Sequence, residues 1–99
     1  MNSEINRFKN DRCDILVATP GRLLDHLENS SLQPRFANLQ SLILDEADRL
    51  LDQGFLNDLE KIIAKLPSKS VVPRQGMLFS ATMSKEVRQV RGRVTNYEI

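Results

Sequence analysis

Residues 42–48 read Leu42-Ile43-Leu44-Asp45-Glu46-Ala47-Asp48. Three apolar residues suited to a buried strand run directly into three carboxylates within four positions. Close carboxylates repel and raise one another's pKa, so this crowding is unfavourable unless something answers the charge. A strand-end Asp-Glu pair suits a magnesium-nucleotide site. Asp45 could hold Mg²⁺ directly or through water, and Glu46 could orient and deprotonate an attacking water. The plainer alternative is a solvated helix start, where negative charge favours the amino-terminal dipole.

Outward from this stretch, two further apolar runs end in polar residues. "DILVA" (14–18) reads as a buried strand and leads into Thr19 and Pro20, while "GMLFSAT" (76–82) reads as a strand that ends in Ser80 and Thr82. Between them lie segments with helical spacing. "PGRLLDHLEN" (20–29) places Leu23, Leu24 and Leu27 on one face and leaves Arg22, Asp25, His26 and Glu28 elsewhere, with His26 read as solvated. "FLNDLEKIIAKL" (55–66) carries Phe55, Leu59, Ile62, Ile63 and Leu66 on one face, and Pro67 stops it. "SKEVRQVRGRV" (84–94) has Ser84 as N-cap and a thin stripe of Val87, Val90 and Val94, with Arg88, Arg91 and Arg93 read as wet surface. Residues 3–9 could end a helix on Ile5 and Phe8, and "SSLQPRFAN" and "SKSVVPRQ" read as loops.

Strand, helix, strand, helix, strand, helix predicts an α/β fold with a three-stranded parallel core and flanking helices. In open sheets of this kind ligands bind beyond the carboxyl ends of the strands. Thr19, the Asp45–Glu46 pair, and Ser80 with Thr82 would then share one rim.

Composition bounds the function. At 99 residues the chain is one domain at most, able to bury only about 60–65% of its unfolded surface. A net charge of +1 makes any contact with nucleic acid a matter of local groups, not bulk charge. No apolar run approaches the ~18 residues of a membrane span. "MNSEINRFKNDRC" lacks a signal-peptide core. Cys13 stands alone, so no intramolecular disulfide forms, and a soluble intracellular protein is expected.

"ATPGR" (18–22) suits a grip on a nucleic-acid backbone. Thr19 can cap, Pro20 fits the first helical position, and Gly21 leaves the main chain open to close approach. Arg22 opposes the helix dipole by roughly 0.3–1 kcal/mol unless a phosphate reverses the sign. The alternative is a capped helix whose Arg22 pairs with Asp25 or Glu28. In "SAT", the two hydroxyls can reach Asp48 if the second and third strands are neighbours; otherwise they form an ordinary turn.

Together "TPGR" (19–22), "DEAD" (45–48) and "SAT" (80–82), in this order, resemble the DEAD-box family of ATP-dependent RNA helicases. The flanks "DILVATPGRLLDHLE", "LILDEADRLLDQGF" and "MLFSATMSKEVRQV" extend the resemblance over about residues 12–90, with wording closest to mitochondrial-type fungal and plant members. The resemblance implies a RecA-like P-loop NTPase domain and RNA-stimulated ATP hydrolysis coupled to RNA unwinding. It implies Asp45 for Mg²⁺ with ATP and Glu46 for the hydrolytic water. Asp48, Ser80 and Thr82 would couple hydrolysis to RNA release, and Thr19, Pro20, Gly21 and Arg22 would hold the sugar-phosphate backbone with little sequence preference.

The same resemblance marks departures. Residues 1–99 correspond to the carboxyl-terminal half of the first RecA-like domain, without the phosphate-loop half or the second domain. Gly21, Gly54, Gly76 and Gly92 precede Arg, Phe, Met and Arg, so no loop ending in Gly-Lys-Thr or Gly-Lys-Ser is present. Without its lysine and N–H cradle little would hold the β- and γ-phosphates, and the isolated chain is expected to be inactive. Gly92 interrupts the last helix at about 1 kcal/mol, and Tyr97–Glu98 resemble a later segment of complete members. Two other readings stay open: a non-catalytic RNA- or protein-binding module, and a non-functional truncated remnant whose unpaired sheet edge invites aggregation.

Overall fold

The computed structural model describes residues 14–29, 33–68 and 72–95. Among them the chain forms α1 (Pro20–Asn29), a 3-10 turn (Gln33–Phe36), β1 (Ser41–Leu44), α2 (Ala47–Asp52), α3 (Leu56–Lys65), β2 (Gln75–Leu78) and α4 (Lys85–Val94). The readings of residues 3–9, Cys13, Tyr97 and Glu98 lie outside the described residues.

Each helix starts and stops for a local reason. The Thr19 carbonyl accepts from Leu23 N–H at 3.0 Å, which puts Pro20 at the first helical position of α1, where its missing N–H is no loss. Ser84 caps α4, its Oγ accepting from Val87 N–H at 3.2 Å. Leu66 takes an extended conformation (φ −80°, ψ 155°) ahead of Pro67 and ends α3, as a residue preceding proline is driven to do. Between α2 and α3, Gly54 adopts φ 89°. Its N–H donates to the Leu51 carbonyl at 3.0 Å, and Phe55 N–H donates to that of Leu50 at 3.1 Å. This is a Schellman turn, which favours glycine at its left-handed position. The acidic stretch is thereby given a short helix of its own, separate from α3.

The sheet differs from the expectation of three strands. Among the described residues it has two, β1 and β2, paired in parallel with Ser41 opposite Gln75 and Leu44 opposite Leu78. The strand expected over 14–18 does not form, and Ile15, Leu16 and Val17 are 83%, 45% and 90% exposed. An apolar run reports a preference for burial, but a strand also needs a neighbour for its ladder, and neither β1 nor β2 pairs with this segment. The α/β class and the parallel pairing stand as read.

Two apolar clusters meet along α3. Leu24 and Leu27 of α1 pack with Phe36, Ile62 and Leu66; Leu44, Ala47 and Leu59 pack with Val87, Val90 and Val94. The three valines of α4, a thin stripe in the sequence, are fully buried. His26 is buried at 8% exposure rather than solvated. It stands one turn after Leu23, so the covered face of α1 is wider than its leucines mark out.

Gly76 explains how α4 comes so close to the sheet. A Cβ at this position would collide with the Val94 carbonyl and crowd Thr95 Cα, both main-chain atoms of the α4 end. Gly92, in contrast, faces open space within α4. Gly76→Ala should therefore lower stability by about 1–3 kcal/mol through overpacking, whereas Gly92→Ala should raise it by up to about 1 kcal/mol. Opposite shifts of the urea midpoint at unchanged m-value would confirm both.

Candidate functional site

At the carboxyl end of β1 the side chains alternate abruptly between water and core. Leu44 is buried, Asp45 and Glu46 are exposed, Ala47 is completely buried, and Asp48 is half-buried. Main-chain bonds enforce this path: Phe79 N–H donates to the Leu44 carbonyl at 2.8 Å, and Ala47 N–H donates to the Phe79 carbonyl at 3.0 Å. Glu46 turns the corner at φ 54°, ψ 49°, and among the described residues no other non-glycine has positive φ. Its N–H donates to Asp45 Oδ1 at 2.9 Å, and its carbonyl accepts from Arg49 and Leu50 at 3.1 Å each. A left-handed conformation costs an ordinary residue roughly 1–2 kcal/mol.

Asp48 and the hydroxyl pair meet, because β1 and β2 are neighbours. Asp48 N–H donates to Ser80 Oγ at 3.2 Å, and Thr82 Oγ1 donates to Asp48 Oδ2 at 3.3 Å. Ser80 Oγ donates in turn to the Thr82 carbonyl at 2.7 Å. Burial works against the charged form of Asp48. Its hydrogen bonds with Ser80, the Arg49 N–H, the Thr82 hydroxyl and its own N–H together outweigh that and hold its carboxyl below the usual aspartate range.

The turn at Thr19–Arg22 has another setting. Pro20 is buried, Thr19 and Arg22 are exposed, and Gly21 lies over the start of α3. A Cβ on Gly21 would sit at ordinary distances from Phe55 Cε1 (3.6 Å) and Asp58 Oδ2 (3.8 Å). Packing therefore does not demand glycine here. This turn and the Asp48 cluster are joined through α2 and the Gly54 turn.

The repulsion raised by three adjacent acids is met in part by water and in part by Arg49. Arg49 Nη1 lies 3.6 Å from Glu46 Oε2, an exposed i,i+3 pair worth under about 1 kcal/mol. Among the described residues no three His, Cys, Asp or Glu side chains gather as a ligand set. The two exposed carboxylates at this corner, Asp45 and Glu46, are a donor set of the size that Mg²⁺ takes when it keeps most of its waters. Ala47 and the Phe79 main chain leave no mark in the sequence pattern, whereas Arg49, one turn after Glu46, leaves a readable signal.

Motif order, strand-end placement and the Asp48–Ser80–Thr82 contacts agree with one another, and a family model for DEAD/DEAH box helicases matches residues 1–90. The chain belongs to this family. It is 59% identical over 85 residues to DEAD-box ATP-dependent RNA helicase 48 of Oryza sativa subsp. japonica, covering 85% of this chain and 10% of the relative. To DEAD-box ATP-dependent RNA helicase 31 of the same plant it is 54% identical over 91 residues, covering 91% and 16%. The crystal structure of the yeast DEAD-box splicing factor Prp28 superposes with a TM-score of 0.82 at 38% identity, over 96% of this chain and 21% of that one. A hypothetical ATP-dependent RNA helicase from Sulfolobus tokodaii does so with a TM-score of 0.75 at 39% identity, over 98% and 27%. The fold is thus the α/β, RecA-like one that the motifs implied. The chain spans 10% to 16% of the length of these two plant relatives. No helix among the described residues is long and apolar enough to cross a membrane.

The lowered Asp48 pKa has a definite sign. Its contribution to stability is fully present above the ordinary aspartate value of 3.8 and is lost as the pH falls through the lower folded-state value. Asp48→Asn should flatten the acid limb of a stability–pH curve below about pH 4 and leave its neutral limb parallel to that of the parent. Urea midpoints across that range would test this; parallel acid limbs would show that the carboxylate is not the titrating group.

Proposed function

We propose that this chain forms the water-activating, coupling and RNA-gripping part of an ATP-dependent RNA helicase, working with a phosphate loop that these 99 residues do not contain. The observation that carries the reading is the pair of hydrogen bonds that Asp48 makes, its N–H donating to Ser80 and its carboxylate accepting from Thr82, which ties the ends of both strands into one unit. Bound Mg²⁺–ATP would supply the phosphoryl group that is hydrolysed. Asp45 keeps Oδ2 clear of the Glu46 N–H and can hold the metal directly or through water. Glu46, set outward by its left-handed backbone, accepts the proton of the attacking water. Asp48, Ser80 and Thr82 pass a change at the rim of β1 to the loop after β2. Thr19, Pro20, Gly21 and Arg22 hold the RNA backbone by phosphate contacts that fix position without reading bases. RNA and ATP as partners suit a protein that works inside the cell.

Residues 12–90, exchanged for the matching stretch of a full-length family member, should keep RNA-stimulated ATP hydrolysis. Glu46→Gln in that chimera should lower kcat by about 10²–10⁴-fold. A folded chimera without turnover would sink the reading. The isolated chain should release no phosphate from ATP above background; RNA-stimulated release that Glu46→Gln abolishes would overturn that expectation.

The RNA grip has a separate test. Because packing leaves room for a Cβ on Gly21, Gly21→Ala should leave the melting midpoint unchanged or higher while weakening RNA binding. Arg22→Ala should weaken binding and lower the salt slope by about one. RNA affinity unaltered in both variants, measured by filter binding at low salt, would remove this turn from the RNA surface.

A further inference from the structure

Arg74 belongs neither to the acidic rim nor to the strand ladder, and its surroundings are unusual for a cation. It lies one residue before β2, in a stretch that reads as loop, yet its side chain is only 8% exposed. A guanidinium carries five N–H donors and no acceptor. Nη1 donates to the Pro67 carbonyl at 2.6 Å, and Nε is buried with no acceptor among the described residues. Burial draws its pKa below the usual guanidinium value, and among the described residues no neighbouring carboxylate acts in the other direction. A buried cation without a counter-charge is unfavourable.

The same side chain lines an open cleft of about 560 Å³ at the carboxyl ends of α3 and α4. Leu66 and Pro67 form part of an apolar wall, and Ser68, Arg74 and Arg93 contribute polar groups. The end of α3 offsets some of this charge, but a helix terminus carries only about half an elementary charge against the full one on Arg74. We propose that the cleft binds a phosphate-bearing small ligand, seated on the Arg74 guanidinium with the Ser68 hydroxyl as a further donor. A tetrahedral dianion offers enough acceptors for a guanidinium fork and a hydroxyl at once, and the apolar wall leaves room for the group that carries the phosphate. Arg74 precedes Ser80 by six residues along β2, roughly 20 Å at the rise of a strand. The cleft is thus at the opposite end of the sheet from Asp48, and the inference does not depend on the helicase reading.

Inorganic phosphate is the probe. At matched ionic strength, phosphate in place of chloride should raise the melting midpoint of the chain, and a ³¹P titration should show saturable broadening. Arg74→Met exchanges the buried cation for an apolar chain of similar length, and it should weaken phosphate binding roughly ten- to a hundredfold. Should that variant not fold, Arg74→Lys, which keeps the charge but loses the fork, should still weaken it severalfold. The absence of any phosphate-specific effect would overturn the proposal, as would an undiminished one in these variants. So would an effect that disappears in Arg22→Ala and survives at Arg74, since it would move the anion to the start of α1.

Discussion

Past the last paired residues of the sheet, Phe79 N–H still reaches the Leu44 carbonyl at 2.8 Å, and its own carbonyl accepts from Ala47 N–H at 3.0 Å. These two bonds carry the strand pairing into the loops and bring Ser80 and Thr82 to Asp48. A slip of one residue between the strands would move the hydroxyls by about 3.3 Å and turn them to the other face. Gly76 opposes such a slip. It stands across from Leu42, and its missing side chain lets the main chain at Val94 and Thr95 close on the sheet. Gln75 or Met77 in its place would drive α4 away. The register and the chemistry at the rim therefore share a cause, the one position on β2 that has no Cβ.

What the sequence made legible follows from the range of each signal. Helices α3 and α4 and strands β1 and β2 show in their periodicity and punctuation because burial on one face repeats within a few residues. The segment 14–18 carries the same apolar signal and forms no strand, since pairing depends on a neighbour that composition does not specify. α2 was hidden because its end is set by Gly54 rather than by a proline. His26 reads as solvated yet is buried, because the width of a covered helix face depends on its partner. At the site, the Asp48 contacts span 32 and 34 residues, and no local pattern encodes them. They were foreseen only on condition that the two strands pair. Arg74 gave no signal at all, as its burial arises where α3, β2 and α4 converge.

Glu46 concentrates the strain of the rim. The left-handed conformation is one that glycine would adopt freely, yet the residue here is a glutamate whose side chain is 64% exposed and gains little from packing. Strain of this kind persists where the surroundings over-determine it, and here the Ala47–Phe79 bond on one side and the Asp45 carboxylate on the other fix the corner. It also sends Glu46 into water. Crowding of the three acids is thereby eased: Asp45 and Glu46 face water, Glu46 beside Arg49, and Asp48 is stabilised as an anion by its hydrogen bonds.

The remaining letter of the motif is the alanine. Ala47 is 0% exposed and packs in the cluster that holds Leu44, Leu59 and the three valines of α4. Its N–H closes the bond to Phe79. A larger side chain would press on α4, and with it on the helix end that lies against Gly76. A glycine would leave a void in a dense interior and loosen the first turn of α2. Of four consecutive residues, then, one is set by volume and three by charge. The buried alanine is the pin that lets Glu46 face water on one side and Asp48 meet Ser80 and Thr82 on the other, which is why an acidic cluster can follow directly on an apolar strand.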